Sequence, residues 1–291
     1  MGVVESAIDV KSSNGGPDGV AHGALGVDRL SALLERFRVR AALFHTGALC
    51  GVSRFDAVPG RGFLHILRHG AMEVLHRPAR GEETRLRLEQ PTLLFYPRPL
   101  RHAFINPARE GSDFTCATLD FDGGEHNPIV HALPLAQVAG VQAALALLFA
   151  EADHPRCGSR LLVDGMFEVV LIQLLRWIVD HPQRVGSRAG LFAGLADPRL
   201  ARALVAMHQA PHEDWPLQRM AAQAGMSRSA FAECFRAATG ATPANYLTDW
   251  RLSLASSMVR AGQPLKLVAA ELGFASASSL SRAFSRRLGA S

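Results

Sequence analysis

The spacing of apolar residues changes several times along the chain, and each change marks a predicted element. Residues 1–25, with Ser12-Ser13-Asn14-Gly15-Gly16-Pro17, carry no periodicity and read as a flexible tail. At 28–38 the apolar positions Leu30, Leu33, Leu34 and Phe37 recur at helical spacing. Short alternating or fully apolar runs follow at 41–44, 63–68, 72–76, 84–88, 92–96 and 114–121, separated by turn residues, and predict the strands of a β-sandwich or small barrel. Helical periodicity returns at 135–152 (Val138, Val141, Leu145, Leu148) and 159–180 (Leu162, Met166, Val169, Leu174, Ile178). The 182–194 stretch reads as a linker. The predicted fold is therefore α+β and multidomain: a tail (1–25), a β-barrel with a helical extension (26–182), a linker (183–196) and an all-α domain (197–291).

The last of these domains contains a repeat. Residues 217–240, LQRMAAQAGMSRSAFAECFRAATG, align with 265–289, LKLVAAELGFASASSLSRAFSRRLG. Leu217 matches Leu265, Ala221-Ala222 match Ala269-Ala270, and Gly225 matches Gly273, all at an offset of 48. One extra residue in the second turn raises the offset to 49, which pairs Ser227 with Ser276, Phe231 with Leu280, Phe235 with Phe284 and Gly240 with Gly289. Each copy has a short amphipathic helix, a glycine suited to positive φ, a serine N-cap and a second helix with core residues at i and i+4, which together make a helix-turn-helix. Between the copies, Thr242-Pro243 opens a helix whose stripe Tyr246, Leu247, Trp250, Leu254, Met258 would hold the two units at one separation.

Charge sharpens this picture. Residues 195–291 hold 11 of the 31 basic but only 6 of the 26 acidic side chains, so the whole net charge of +5 sits there, as a polyanion binder requires. A hydrophobic content of 48% and a charged content of 20% suit a globular chain with substantial cores. No apolar run is long enough to span a membrane, and Glu5 and Asp9 interrupt any export signal, so a cytoplasmic, membrane-free protein is expected. Cys50, Cys116, Cys157 and Cys234 are irregularly spaced, which argues against a disulfide framework. The sequence lacks the nucleophile elbow, the phosphate loop and the dinucleotide fingerprint, so no enzyme is expected.

Residues 197–291 resemble the C-terminal domain of AraC/XylS-type transcription regulators. The likeness is carried by Ala221, Met226-Ser227, Phe231, Phe235, Gly240, Pro243, Tyr246-Leu247, Arg251, Ala255, Val268-Ala269, Gly273-Phe274, Ser276, Ser278 and Arg282-Ala283-Phe284. It implies two recognition helices entering successive major-groove segments of double-stranded DNA. With Phe231, Cys234 and Phe235 on the core face of the first, Arg228, Ser229, Ala232, Glu233 and Arg236 point outward. Ala277, Ser278, Ser281, Arg282 and Arg286 do so on the second. Arg282 is the principal candidate, for a bidentate contact to guanine or for a phosphate. Glu233 departs from the basic or amide residue that relatives often carry. The resemblance also implies a proline and a short helix beyond Ser291, where this sequence ends.

Upstream, Pro97 to Asn106 show the spacing P-x-P-x-x-H-x-x-x-N, similar to the second cupin motif with Pro99 in place of glycine. The first cupin motif is missing; its region offers His65, His69 and Glu73. Strand alternation turns His65 and Cys116 inward, and with Cys50 and His102 they would form a Cys2His2 set suited to tetrahedral zinc. The same residues read equally as buried cysteines and hydrogen-bonded core histidines. The segment resembles the cupin-like sensor domain of some AraC-type regulators, which implies a response to a small effector, a metal or an oxidant acting on thiolates. The helices after the barrel would form a homodimer interface or cover the barrel. Two alternatives to a sequence-specific regulator stand: a cupin-type metalloenzyme and a non-specific nucleic-acid-binding protein.

Overall fold

The computed structural model describes residues 27–77, 82–106, 112–122, 124, 127–132, 136–138, 142–182 and 189–288. The flexible tail expected over residues 1–25 lies outside them. The chain enters through a four-residue helix, α1 (Ser31–Leu34), whose first free amides are taken by the Asp28 carboxylate, at 3.1 Å from Leu30 N and 3.0 Å from Ser31 N. The helical spacing expected over 28–38 thus yields one turn, and Leu33 and Phe37 are fully buried on either side of its end.

Two antiparallel sheets follow. One has the order β1 (Val39–Leu49), β8 (Ser112–Phe121), β3 (Arg61–His69), β6 (Thr92–Tyr96), β9 (Ala136–Val138); the other runs β2 (Gly51–Phe55), β7 (Arg101–Asn106), β4 (Met72–Arg77), β5 (Thr84–Leu88). No ladder joins them among the described residues, so the expected barrel is an open sandwich. The alternating faces of β3 explain its unbroken apolar run: Phe63 and Leu67 meet Val74, Phe104 and Phe114 between the sheets, while Leu64 and Ile66 face a second core. That second core is built with α3 (Gln142–Asp153) and α4 (Ser159–Asp180), which cover the larger sheet. Arg68 pins α3 to β3, its two terminal nitrogens 2.6 and 2.5 Å from the Asp153 carboxylate and its guanidinium 4.4 Å over the Phe149 ring.

The helical extension differs from expectation in three places. Residues 136–138 form an edge strand, and the helix begins only at Gln142. On α4 the buried face is Val163, Phe167, Val170, Leu171, Leu174 and Ile178, so Leu162 and Val169 of the expected stripe are about half exposed. A helix apolar on most sides leaves the choice of buried face to its partners, here the larger sheet. The presumed linker contains α5 (Leu191–Ala196), with Leu191, Phe192 and Leu195 buried. Gly190 and Gly194 read locally as loop, but Gly194 lies within α5, where an added Cβ would stand 2.9 Å from a Leu204 methyl and 3.0 Å from the Thr239 methyl.

The remaining elements are α6 (Pro198–Gln209), α7 (Leu217–Ala224), α8 (Arg228–Thr239), α9 (Pro243–Arg260), α10 (Leu265–Glu271) and α11 (Ala277–Leu288). Their core is continuous with that of the first domain, where Phe37 meets the edge of Trp250 at 5.1 Å. Among the described residues no helix is long and apolar enough to cross a membrane.

Candidate nucleic-acid interface and effector centre

Both predicted helix-turn-helix units form, and the local chemistry accounts for them. Gly225 (φ 66°) and Gly273 (φ 73°) take the left-handed conformation that reverses the chain after α7 and α10. Ser227 then caps α8 by accepting from Ala230 N at 3.3 Å, and Ser276 caps α11 by accepting from Ser279 N at 3.1 Å. Phe231 and Phe235 are fully buried, as is Leu280, and Phe284 is partly buried, so the core faces match the repeat. Thr242 caps α9 with Pro243 at its first position.

The outward faces are those expected. Arg228, Ser229, Glu233 and Arg236 on α8 are exposed, as are Ser278, Ser281, Arg282 and Arg286 on α11, while Ala232 and Ala277 are half-buried. Arg228 and Ser229 stand at the start of α8, whereas Ala232, Glu233 and Arg236 line a mostly apolar groove of about 810 Å³ beside Trp215, Leu217 and Pro243. Arg287 is turned away to Asp249 of α9, at 2.7 Å. That leaves Arg282 and Arg286 as the outward cations of α11.

Within the sandwich, the four residues proposed for zinc are only partly brought together. His65 of the larger sheet and His102 of the smaller one meet across the interior, Nε2 to Nε2 at 2.9 Å, and both are buried. Cys116 lies beside His65 in the β3–β8 register, and burial pushes its thiol well up, which keeps it protonated and a poor nucleophile. Cys50 is exposed at the corner where β1 gives way to β2. Among the described residues no three His, Cys, Asp or Glu side chains are grouped to share a metal ion, so these four do not fit the tetrahedral site as placed.

The imidazole pair has a definite proton arrangement. Leu100 O, 2.7 Å from His102 Nδ1, can only accept, so that nitrogen carries the proton and His102 Nε2 accepts from His65 Nε2–H. His65 Nδ1 is then a buried lone pair without a partner. Rings enclose the pair: Tyr96 stacks on His102 at 4.1 Å, Phe55 covers its other face at 4.9 Å, and Phe63 stacks on His65 at 5.5 Å. Burial holds His102 down to about 4 and keeps His65 well below its ordinary value. His76, opposite His102 in the β4–β7 register, binds the Tyr96 hydroxyl at 2.9 Å and belongs to the same centre. Sequence reading passed over it, although alternation with Met72 and Val74 marks it as inward.

Residues 28–180 match the family described as Cupin, and residues 220–291 match one described as Helix-turn-helix domain. A protein of Streptomyces antibioticus named as an AraC-like transcription regulator is 38% identical over 166 residues, covering 56% of this chain and 54% of its own. One of the same name from Streptomyces lividans is 37% identical over 166 residues, covering 56% and 53%. The chain thus spans about half the length of these curated relatives. Among solved structures, the DNA-binding domain of AdpA, described as a global transcriptional factor in complex with a target DNA, is 31% identical, with 31% of this chain and 81% of that chain covered and a TM-score of 0.29.

Proposed function

Since the chain belongs to the cupin family through residues 28–180 and joins to it a helix-turn-helix domain of the AraC type, we propose that it is a cytoplasmic, sequence-specific DNA-binding transcription regulator and not an enzyme. The observation that carries this reading is the pair of exposed recognition faces on α8 and α11, each presented by a capped, glycine-turned unit within the basic third of the chain. The names of the relatives agree with it. A non-specific binder would show the same basic surface without base discrimination, and affinity separates the two. Against a duplex selected by the protein from a random pool, Arg282→Ala should bind roughly 10- to 100-fold more weakly, about 1–3 kcal/mol, with a much smaller change on scrambled DNA. Equal losses on both would assign Arg282 to phosphate alone, and no loss on either would remove α11 from the interface.

The cupin domain is the effector-reading part, with the His65–His102 pair as its polar centre. Breaking the hydrogen bond between the two Nε2 atoms frees the His102 lone pair, and the other tautomer of His65 supplies a second, which suits an organic donor or a divalent metal ion. Elemental analysis of purified protein distinguishes these: zinc lost in His102→Ala but kept in Cys50→Ser favours the metal, and a metal-free wild type favours the organic effector. An oxidant acting through Cys116 is disfavoured by its protonated, buried thiol.

Homodimerisation through the helical layer accounts for Leu161, Leu162 and Val169 of α4, 69%, 50% and 51% exposed, together with Leu147 of α3 at 63%. Sedimentation should find a dimer for the wild type and a monomer for Val169→Asp; a monomeric wild type would refute the interface.

A further inference from the structure

Between α6 and α7, residues 210–216 form a loop whose backbone carbonyls are claimed by side chains from several directions. Trp215 Nε1 donates to Ala210 O at 2.9 Å, and Arg219 of α7 donates to Asp214 O at 2.8 Å. Arg251, from the middle of α9, donates twice, through Nε to Pro211 O at 2.6 Å and through Nη2 to Glu213 O at 2.8 Å. The same guanidinium lies 6.0 Å from the centre of the Phe274 ring, in the turn of the second unit. That turn also presses directly on the loop. A Cβ at Gly273 would stand 2.4 Å from His212 O and 3.0 Å from His212 C, so the glycine is required there for space as well as for its φ.

The connector α9 passes to α10 through the Gly262 turn, at φ 87°, and holds α11 through the Arg287–Asp249 contact at 2.7 Å. The Arg251 and Gly273 contacts add a second point of attachment on the side of the first unit. We propose that Arg251, together with the Gly273 turn, positions the two recognition helices at one separation by keying the second unit to the 210–216 loop that leads into the first. The proposal rests on the reading that this domain grips duplex DNA with both units. One base pair moves a half-site by about 3.4 Å along the duplex and roughly 34° around it, so a rigidly braced pair of helices tolerates a single spacing. A pair held by α9 alone tolerates several, at a loss of effective concentration.

The test uses the full chain and the duplex it selects from a random pool, with one base pair then inserted or deleted between the half-sites. Wild type should lose about tenfold in affinity for either change. Arg251→Lys keeps the charge but exchanges a forked donor for a point charge that reaches one carbonyl, and should lose about threefold or less. These ratios are taken within one preparation, so a reduced active fraction does not move them. An Arg251→Lys ratio equal to that of wild type overturns the proposal, as does a wild type indifferent to spacing that still prefers its selected duplex to scrambled DNA. A wild type that prefers no duplex refutes the DNA reading instead. If Arg251→Lys fails to bind, Arg251→Gln, whose shorter amide cannot donate to both Pro211 O and Glu213 O, is measured with the same two outcomes.

Discussion

On lowering the pH from 7 toward 4, the protein should lose several kcal/mol of stability, because four buried histidines are held neutral in the fold. Burial lowers His102 to about 4 and His208 to about 3, keeps His65 well below its ordinary value, the facing His102 adding repulsion, and lowers His76. His208 is stacked on Trp250 at 3.8 Å and bonded through Nε2 to the Tyr246 hydroxyl at 2.8 Å, inside the DNA-binding domain. In the unfolded chain each imidazole binds a proton near pH 6.5, and in the folded chain it does so only below that. The stabilising contribution is therefore complete above about 6.5 and is lost as the pH falls toward the folded value. At about 1.4 kcal/mol per pH unit, His102 alone would account for about 3 kcal/mol by pH 4, and His208 for a similar amount over the same range. Against a typical total of about 5–15 kcal/mol, that is a large share of the stability. Urea unfolding at a series of pH values should show a plateau above 7 and a decline below 6.5 with a slope above one proton. A stability unchanged between pH 7 and 4.5 would contradict the buried, neutral state of these rings.

Phe235→Ala should be among the most damaging single changes to the first helix-turn-helix unit, costing about 3–5 kcal/mol. The ring is fully buried, 5.3 Å from Phe231 and 5.4 Å edge-on to Tyr246 of α9. Its removal leaves a cavity between α8 and the connector, so stability and the placement of the recognition helix fail together. Phe284, its counterpart in the second unit, is only partly buried and should cost distinctly less when truncated. Denaturant unfolding of both variants compares them directly; a larger loss at Phe284 would contradict the unequal burial of the two copies.

The repeat, its caps and its outward faces were legible because their determinants lie within a few residues of one another. A serine three residues before an amide it accepts from, a glycine at a turn and core residues at i and i+4 describe one local geometry wherever they occur. Six of the nine described strands were legible for the same reason, whereas β2 and β7 were not among the predicted runs and β9 lay within an expected helix. The small helix α5 was not legible, since Gly194 sits at a close approach to Leu204 and Thr239 that exists only once α6 and α8 are in place.

What the amino-acid order determined by itself is the two-part plan, the twofold use of one helix-turn-helix unit and the residues that unit turns outward, because period and capping are properties of short segments. What only the tertiary structure decided is which distant side chains meet. His65 and His102 stand 37 positions apart, on different sheets, and join across the sandwich, while Cys50 is carried out to an exposed corner. Arg251 reaches back 40 positions to Pro211. Such pairings depend on strand register and helix packing, which no local spacing records.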